Sequence, residues 1–465
     1  VKLIRRRPDY GYFDNWLWLP KQHVSERQIQ MSLIYEGRDR EIIRGWEEEP
    51  YHFRVPRNYY EVLTLTNLPY PVRDTRFLDF PRIDLRSSAI MDAKEPSATY
   101  QRDSCKALLG TYDGILCLRC GAGKTVVALH AAAQVKQPIL IIVNEKTLAN
   151  QWVKEIRRFL GLKEEDIGRI GGDGSPFVWE KPITIALVQS LAQRAIDRRI
   201  PPEMVRHFGV IIPDEAHVMA APYFNKALPP FHGRRWGLSA TPERDDGFDS
   251  LLRATVGEIT YTYLTPDLKP TAIFRRLDTR LDTTQPDVFR ETHDISREFH
   301  FGKTYNYLAE SKPERTETIA NDIKAGIAMG RQCLVLTHSR AMCEKLAEHF
   351  TNPGVVYAGV KGKERMRRIH ECNPVIAIMQ IGKQALDKPS LDTVYICEPT
   401  KKPNVLQQIM GRALRNFRGK RDPLFIIYED MYIKPLFKMC QKIRATFNRW
   451  PAHKGGQIPF KIVQK

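Results

Sequence analysis

The segment Leu118–Thr125, LRCGAGKT, constrains this chain more than any other. A short apolar run, Ile115–Leu118, leads into it, and an alanine-rich stretch of helical character, Val126–Val135, follows. Strand, glycine turn, Lys-Thr and helix make the context of a phosphate-binding loop. Gly121 and Gly123 let backbone N–H groups converge on phosphate oxygens, and the helix adds the positive end of its dipole. Cys120 and Ala122 lie in the same loop. Lys124 is placed to reach the β- and γ-phosphates of a nucleotide, and the Thr125 hydroxyl to hold Mg²⁺. The plain alternative is a glycine turn after a strand. Gly-Lys-Thr at a strand–helix junction is too specific a signal for that reading to be preferred.

Two further segments carry chemistry. Val210–His217, VIIPDEAH, is a β-branched strand delivering Asp214 and Glu215 to its end. Nucleotide hydrolysis needs one carboxylate to hold Mg²⁺ and another to orient and deprotonate water, so Asp214 is the expected metal ligand and Glu215 the expected base. Gln407–Arg415, QQIMGRALR, sets Arg412 and Arg415 three residues apart, on one face of a helix. Two fixed cations there fit arginine fingers for a γ-phosphate, with Gln408 beside them. A solvated basic helix face is the plain alternative.

In this order, LRCGAGKT, PDEAH, LSATPERDDG (Leu238–Gly247) and QIMGRALR resemble the motifs of superfamily 2 helicases of the DEAH type. The pattern is most similar to the XPB-like group and to phage fork-remodelling helicases of the UvsW type. The resemblance covers roughly residues 98 to 430 and implies a role for several further residues. Tyr100 and Gln101 stand where that family contacts adenine. Gln189 and Ser190 stand at a strand end that grips the phosphodiester backbone, although helix capping accounts for them equally well. His217 bridges the nucleotide site to the next motif, and Ser239 and Thr241 couple hydrolysis to nucleic-acid binding. In a second α/β unit beginning at Cys333–Thr337, Arg340 and Gly382 fall near nucleic acid and Asp387 near the ribose.

At 465 residues the chain exceeds one compact core. We expect an α/β protein with two RecA-like P-loop domains built on parallel sheets, at 96–265 and 266–430. A small α+β or β-rich accessory domain precedes them at 1–95, and a helical tail follows at 431–465. The accessory segment combines Arg54, Arg57, Arg73 and Arg76 with Tyr10, Tyr12, Phe13, Trp16 and Trp18. Such a mixture either tracks and stacks nucleic acid, here a duplex or branched arm, or builds the core of a small domain. Trp152 recurs with Leu148, Ile156 and Leu160 at helical spacing and is assigned to the core.

Net charge is +18, which favours an acidic polymer as partner. No apolar run approaches the ~18 residues of a membrane span. The scattered cysteines read as packed, reduced thiols. These features imply a soluble intracellular protein, with a bacterial cytoplasm, at times during phage infection, as the expected setting. The expected activity is an ATP- and Mg²⁺-dependent DNA helicase or translocase, monomeric on single-stranded and forked or branched DNA. An RNA-stimulated ATPase and a non-catalytic nucleic-acid-binding module are the alternatives.

Overall fold

The structure, a computed structural model, describes residues 7–36, 42–59, 70–89, 99–119, 121–171, 177–240, 248–264, 270–282, 285–379, 388, 390–400, 406, 409, 413, 420–448 and 461–464. The chain forms two compact units, Val1–Tyr263 and Leu264–Lys465.

The first unit holds a seven-stranded sheet in the order Ile167–Ile170, Ile183–Leu187, Ile139–Val143, Val210–Pro213, Arg234–Ser239, Asp113–Leu118, Ile259–Tyr263. Every pair is parallel. Parallel strands need crossover helices, which cover both faces and leave the strands apolar along their length. Ile139–Val143 is buried at every position for that reason. Helix Lys124–Val135 packs between helices Tyr100–Leu109 and Lys146–Leu160. Its alanines admit that close approach: Ala128, Ala131, Ala132 and Ala133 are all buried. In helix Lys146–Leu160, Trp152, Ile156 and Leu160 are buried as their spacing requires.

A small five-stranded sheet belongs to the same unit. Its order is Glu47–Glu48, His52–Pro56, Trp16–Pro20, Gly11–Phe13, Val72–Asp74, antiparallel except at the last pair. The β-rich reading of this segment holds, and Tyr12 and Trp18 are core residues. Leu17, Leu19, Phe53 and Val55 share one apolar cluster with Leu140, Ile211 and Leu252 of the large sheet and its helices.

An ion pair fixes the junction. Arg57 Nε donates to Asp113 Oδ2 at 2.6 Å, and Nη2 bonds the other carboxylate oxygen. The guanidinium also donates to the carbonyls of His232 (3.0 Å) and Gly233 (2.7 Å). Asp113 Oδ1 accepts a further bond from the Arg235 backbone N–H at 2.8 Å. Asp113 and Arg234 begin their strands, so the small sheet is bolted to the amino-terminal edge of the large one. Arg57 is therefore no nucleic-acid contact: it is 1% exposed and all its donors face inward.

The second unit repeats the parallel plan in the order Gly354–Val356, Val375–Ile378, Cys333–Thr337, Thr393–Ile396, Leu424–Asp430, Thr271–Leu277, Lys461–Gln464. Two features depart from expectation. The sequence singles out no strand at Thr271–Leu277, where Ala272, Phe274 and Leu277 are buried but the consecutive Arg275 and Arg276 interrupt the apolar pattern. The tail is helical over Lys434–Asn448 but returns as a strand, Lys461–Gln464, beside Thr271–Leu277. Four residues are too few to show a strand period against a basic background. Arg315 is fully buried here, with Nε 2.8 Å and Nη2 3.0 Å from the Asp430 carboxylate.

Arg57→Ala should destabilise the first unit by about 3–5 kcal/mol, because it strands the buried Asp113 carboxylate. Chemical denaturation followed by tryptophan fluorescence measures it. An unchanged midpoint would show that the junction does not depend on the pair.

Candidate active site

Because the first sheet is parallel throughout, all its strands end on one edge, where open α/β sheets bind ligands. Four of these ends carry residues singled out above. Leu118 leads to the phosphate loop, Leu187 to Gln189 and Ser190, Pro213 to Asp214 and Glu215, and Ser239 ends its own strand. The strand before the loop is separated from the Asp214 strand by Arg234–Ser239 alone.

The loop takes the shape its glycines permit. Gly121 and Gly123 have φ of 80° and 85°, a region that side chains disfavour. Gly123 caps helix Lys124–Val135, whose first N–H groups have no side-chain cap. Those unsatisfied donors and the helix dipole suit a phosphate group. Lys124 Nζ donates to the Leu118 carbonyl at 3.1 Å, folded back over the loop. Gln101 Nε2 donates to the Ala122 carbonyl at 3.2 Å, so the proposed adenine reader touches the loop itself. Tyr100 stacks on Tyr263 with ring centroids 4.1 Å apart and planes 2° from parallel. Tyr263 is the last residue of this unit, and its carbonyl accepts from the Arg119 N–H at 2.9 Å.

The two acids sit in different surroundings. Asp214 is 6% exposed. Its Oδ1 accepts from the Glu215 N–H at 2.9 Å and its Oδ2 from the Trp152 indole N–H at 2.8 Å. Burial, and then the neighbouring Glu215 charge, push its carboxyl up to about 6, while Lys124 and the Trp152 bond pull it down. Glu215 is only half-buried and has φ 50°, ψ 55°, a left-handed conformation costing a non-glycine residue about 1–2 kcal/mol. Its Oε2 lies 3.5 Å from His217 Nδ1 and has no hydrogen-bond partner among the described residues. A buried carboxylate, a hydroxyl at Thr125 and a glycine loop form a donor set fit for a divalent cation with a nucleotide.

Ser239 is fully buried. Gln189 and Ser190 are not caps: the cap position is Leu187, and both lie in the first turn of helix Val188–Ile196. Gln189 Nε2 donates to the Asn144 carbonyl at 2.8 Å, joining two neighbouring strand ends. In the second unit Arg340 is exposed, paired with Glu344 at 2.8 Å and lying over Tyr357. Cys120, Thr241, Gly382, Asp387, Gln408, Arg412 and Arg415 lie outside the described residues. Leu406, Ile409 and Ala413 are described, helical and buried, at the spacing of one helix face. The sequence reading missed the Trp152 bond, since an apolar period predicts burial and says nothing about the indole N–H.

Residues 95–244 match the family described as Type III restriction enzyme, res subunit. Residues 315–417 match the helicase conserved C-terminal domain. The chain carries the two domains of a superfamily 2 helicase. Among relatives, it is 26% identical over 456 residues to a protein named as helicase 22 of Sulfolobus islandicus filamentous virus, covering 88% of this chain and 77% of that one. It is 22% identical to a protein named as helicase D10 of Escherichia phage T5, covering 76% of each. Against the DNA 3'-5' helicase XPB of Mycobacterium tuberculosis it is 32% identical, over 35% of this chain and 29% of that protein. It thus spans about three quarters of the viral and phage helicases and under a third of the mycobacterial one. The helicase family uses ATP. Among the described residues no helix is long and apolar enough to cross a membrane.

Gly123→Ala tests the loop. A Cβ there would meet Gln101 Nε2 at 2.8 Å in a backbone conformation that alanine resists. A cost of about 1–2 kcal/mol implies roughly ten-fold weaker nucleotide binding. Equilibrium binding of a fluorescent ADP analogue measures it; wild-type affinity would place the nucleotide elsewhere.

Proposed function

We propose that this helicase is an ATP-driven DNA translocase acting on forked or branched DNA. The observation that carries the reading is the meeting of Lys124, Asp214 and Glu215 at one sheet edge, with Asp214 buried and Glu215 Oε2 unbonded. DNA is preferred because the mycobacterial relative is named a DNA helicase and because a chain of charge +18 suits a polyanion. The DEAH-type, XPB-like and fork-remodelling placement rests on the resemblance of the four motifs, and so does a role in replication, recombination or repair.

In this proposal the loop N–H groups and Lys124 hold the ATP phosphates. Thr125 and Asp214 would hold Mg²⁺, which when bound would neutralise phosphate charge. Glu215 would orient the attacking water and take its proton, for which its partial exposure suits it. Tyr100 and Gln101 select the base. Asp387 contacts the ribose, and Gln408, Arg412 and Arg415 complete the site as the γ-phosphate leaves. Gln189, Ser190, Arg340 and Gly382 grip the strand backbone, while His217, Ser239 and Thr241 relay the nucleotide state. Contacts to the backbone carry no sequence information, so the motor tolerates any sequence. In the accessory domain Arg54 is paired with Glu47 and Arg76 with Asp74, which leaves exposed Arg73, lying over Tyr10, as the residue proposed to meet a duplex arm.

ATP turnover with forked DNA, single-stranded DNA, RNA or no nucleic acid tests this reading. DNA should stimulate most and forks should bind more tightly than single strands. Stimulation by RNA alone would overturn the DNA assignment. Glu215→Gln should bind ATP nearly as well as wild type and lose DNA-stimulated turnover, because an amide cannot take the proton. Turnover near wild type in that variant would remove Glu215 from the chemistry.

Arg415→Ala should cut turnover ~10³-fold with little change in ATP affinity, since a finger acts on transition-state charge. Separate kcat and nucleotide Kd measurements distinguish this from a loss of DNA affinity, which would place Arg415 on the nucleic-acid surface instead.

A further inference from the structure

Trp152 satisfies the packing expected of it, yet packing does not account for its chemistry. In helix Lys146–Leu160 the positions beside it, Leu148, Ile156 and Leu160, are filled by aliphatic side chains. A phenylalanine or leucine would keep that face apolar, with less volume. What tryptophan adds is one N–H, and here it is spent on Asp214: Nε1 lies 2.8 Å from Oδ2, with Trp152 1% and Asp214 6% exposed. The helix starts at the end of strand Ile139–Val143, the direct neighbour of Val210–Pro213, so the indole reaches across from one strand end to the next.

We propose that Trp152 is a positioning residue for the divalent cation, holding the Asp214 carboxylate in the one orientation that presents it to the metal shell. This rests on the preceding reading that Asp214 holds the cation. The two carboxylate oxygens are each fixed by one donor, Trp152 on Oδ2 and the Glu215 backbone N–H on Oδ1. Two donors on two oxygens fix both the plane and the tilt of the group. An indole N–H can donate but never accept, so it cannot reverse the bond. A serine or asparagine could turn and bond otherwise. The other charges facing Asp214 are Glu215, adjacent in sequence, and Lys124 from the loop. Trp152, like the Glu215 backbone N–H, is a neutral donor, so it orients the carboxylate without offsetting the charge that attracts the cation. Partners of this kind around metal ligands are worth about 10–100-fold in metal affinity or activity.

The test separates the N–H from the ring. Trp152→Phe removes the donor and some volume; replacement of Trp152 by β-(3-benzothienyl)alanine removes the donor and keeps the shape. Binding of a fluorescent ADP analogue is followed as Mg²⁺ is titrated, and again in EDTA, together with the melting temperature. Both variants should need roughly 10-fold or more Mg²⁺ for half-maximal binding, with metal-free nucleotide affinity unchanged. In an Asp214→Asn background the Trp152→Phe change should add no further shift, because the two act through one bond. If the isosteric replacement titrates with Mg²⁺ as wild type does while Asp214→Asn is shifted, Trp152 is a packing residue and the proposal is wrong. If Asp214→Asn itself is unshifted, the cation is held elsewhere, and the reading of the site falls with the inference.

Discussion

The parallel pairing of the first sheet is the constraint from which the rest of that unit follows. It forces a crossover helix after nearly every strand, so both faces are covered and the strands read as unbroken apolar runs. It also sorts the two edges. All the carboxyl ends lie together, and the chemistry-bearing residues Lys124, Asp214, Glu215 and Ser239 come from segments far apart in sequence yet meet there. The amino ends lie on the opposite edge, where Asp113 and Arg235 are free to receive the accessory sheet. An addition at that edge leaves the nucleotide loop undisturbed, because the full length of the strands separates the two.

Buried charge is handled differently at the two edges. At the junction, Asp113 has the Arg57 guanidinium and a backbone N–H, and Arg57 has carbonyls for its remaining donors. Arg315 in the second unit is matched in the same way by Asp430 and the Cys397 carbonyl, with Glu398 3.9 Å away. Breaking such a set leaves an uncompensated charge in a dry interior. Asp214 is buried as deeply, but its hydrogen bonds come from an indole and a backbone N–H, neither of them charged. A buried acid whose hydrogen bonds come from neutral donors, with Lys124 as the opposite charge facing it, is less fully compensated than the paired acids and can take a further cation.

What could be read from the sequence divides along the same physical line. The phosphate loop, the Asp214 strand and the helix of Trp152 were legible because each combines a strict period with a local turn requirement, and local rules are what a sequence states directly. Among the described residues the thiols of Cys105, Cys117, Cys333, Cys343, Cys372, Cys397 and Cys440 are free and buried, as their scattered placement implies. The strands Thr271–Leu277 and Lys461–Gln464 were not legible. One is a mixed run interrupted by two consecutive arginines, and the other takes its conformation from the strand beside it. Arg57 was misread for a related reason. An arginine among aromatics looks like a polyanion contact, and only the fold reveals that Asp113, distant in sequence, waits for it.

The adjacent acids carry this argument to the site itself. Asp214 and Glu215 are the same kind of group one bond apart along the chain, and sequence assigns their roles only by order in a motif. The fold separates them by environment. Asp214 continues the strand in a bridge to Leu238 and is drawn into the interior, where both its oxygens are bonded. Glu215 turns away through a left-handed backbone that its own side chain disfavours. That turn leaves Glu215 partly exposed, with Oε2 itself buried 3.5 Å from His217 Nδ1 and without a hydrogen bond among the described residues. In the roles proposed for them, the metal ligand is the carboxylate with both oxygens fixed and the base is the partly exposed one. The strain at one residue is thus what sets two neighbouring carboxylates in different surroundings.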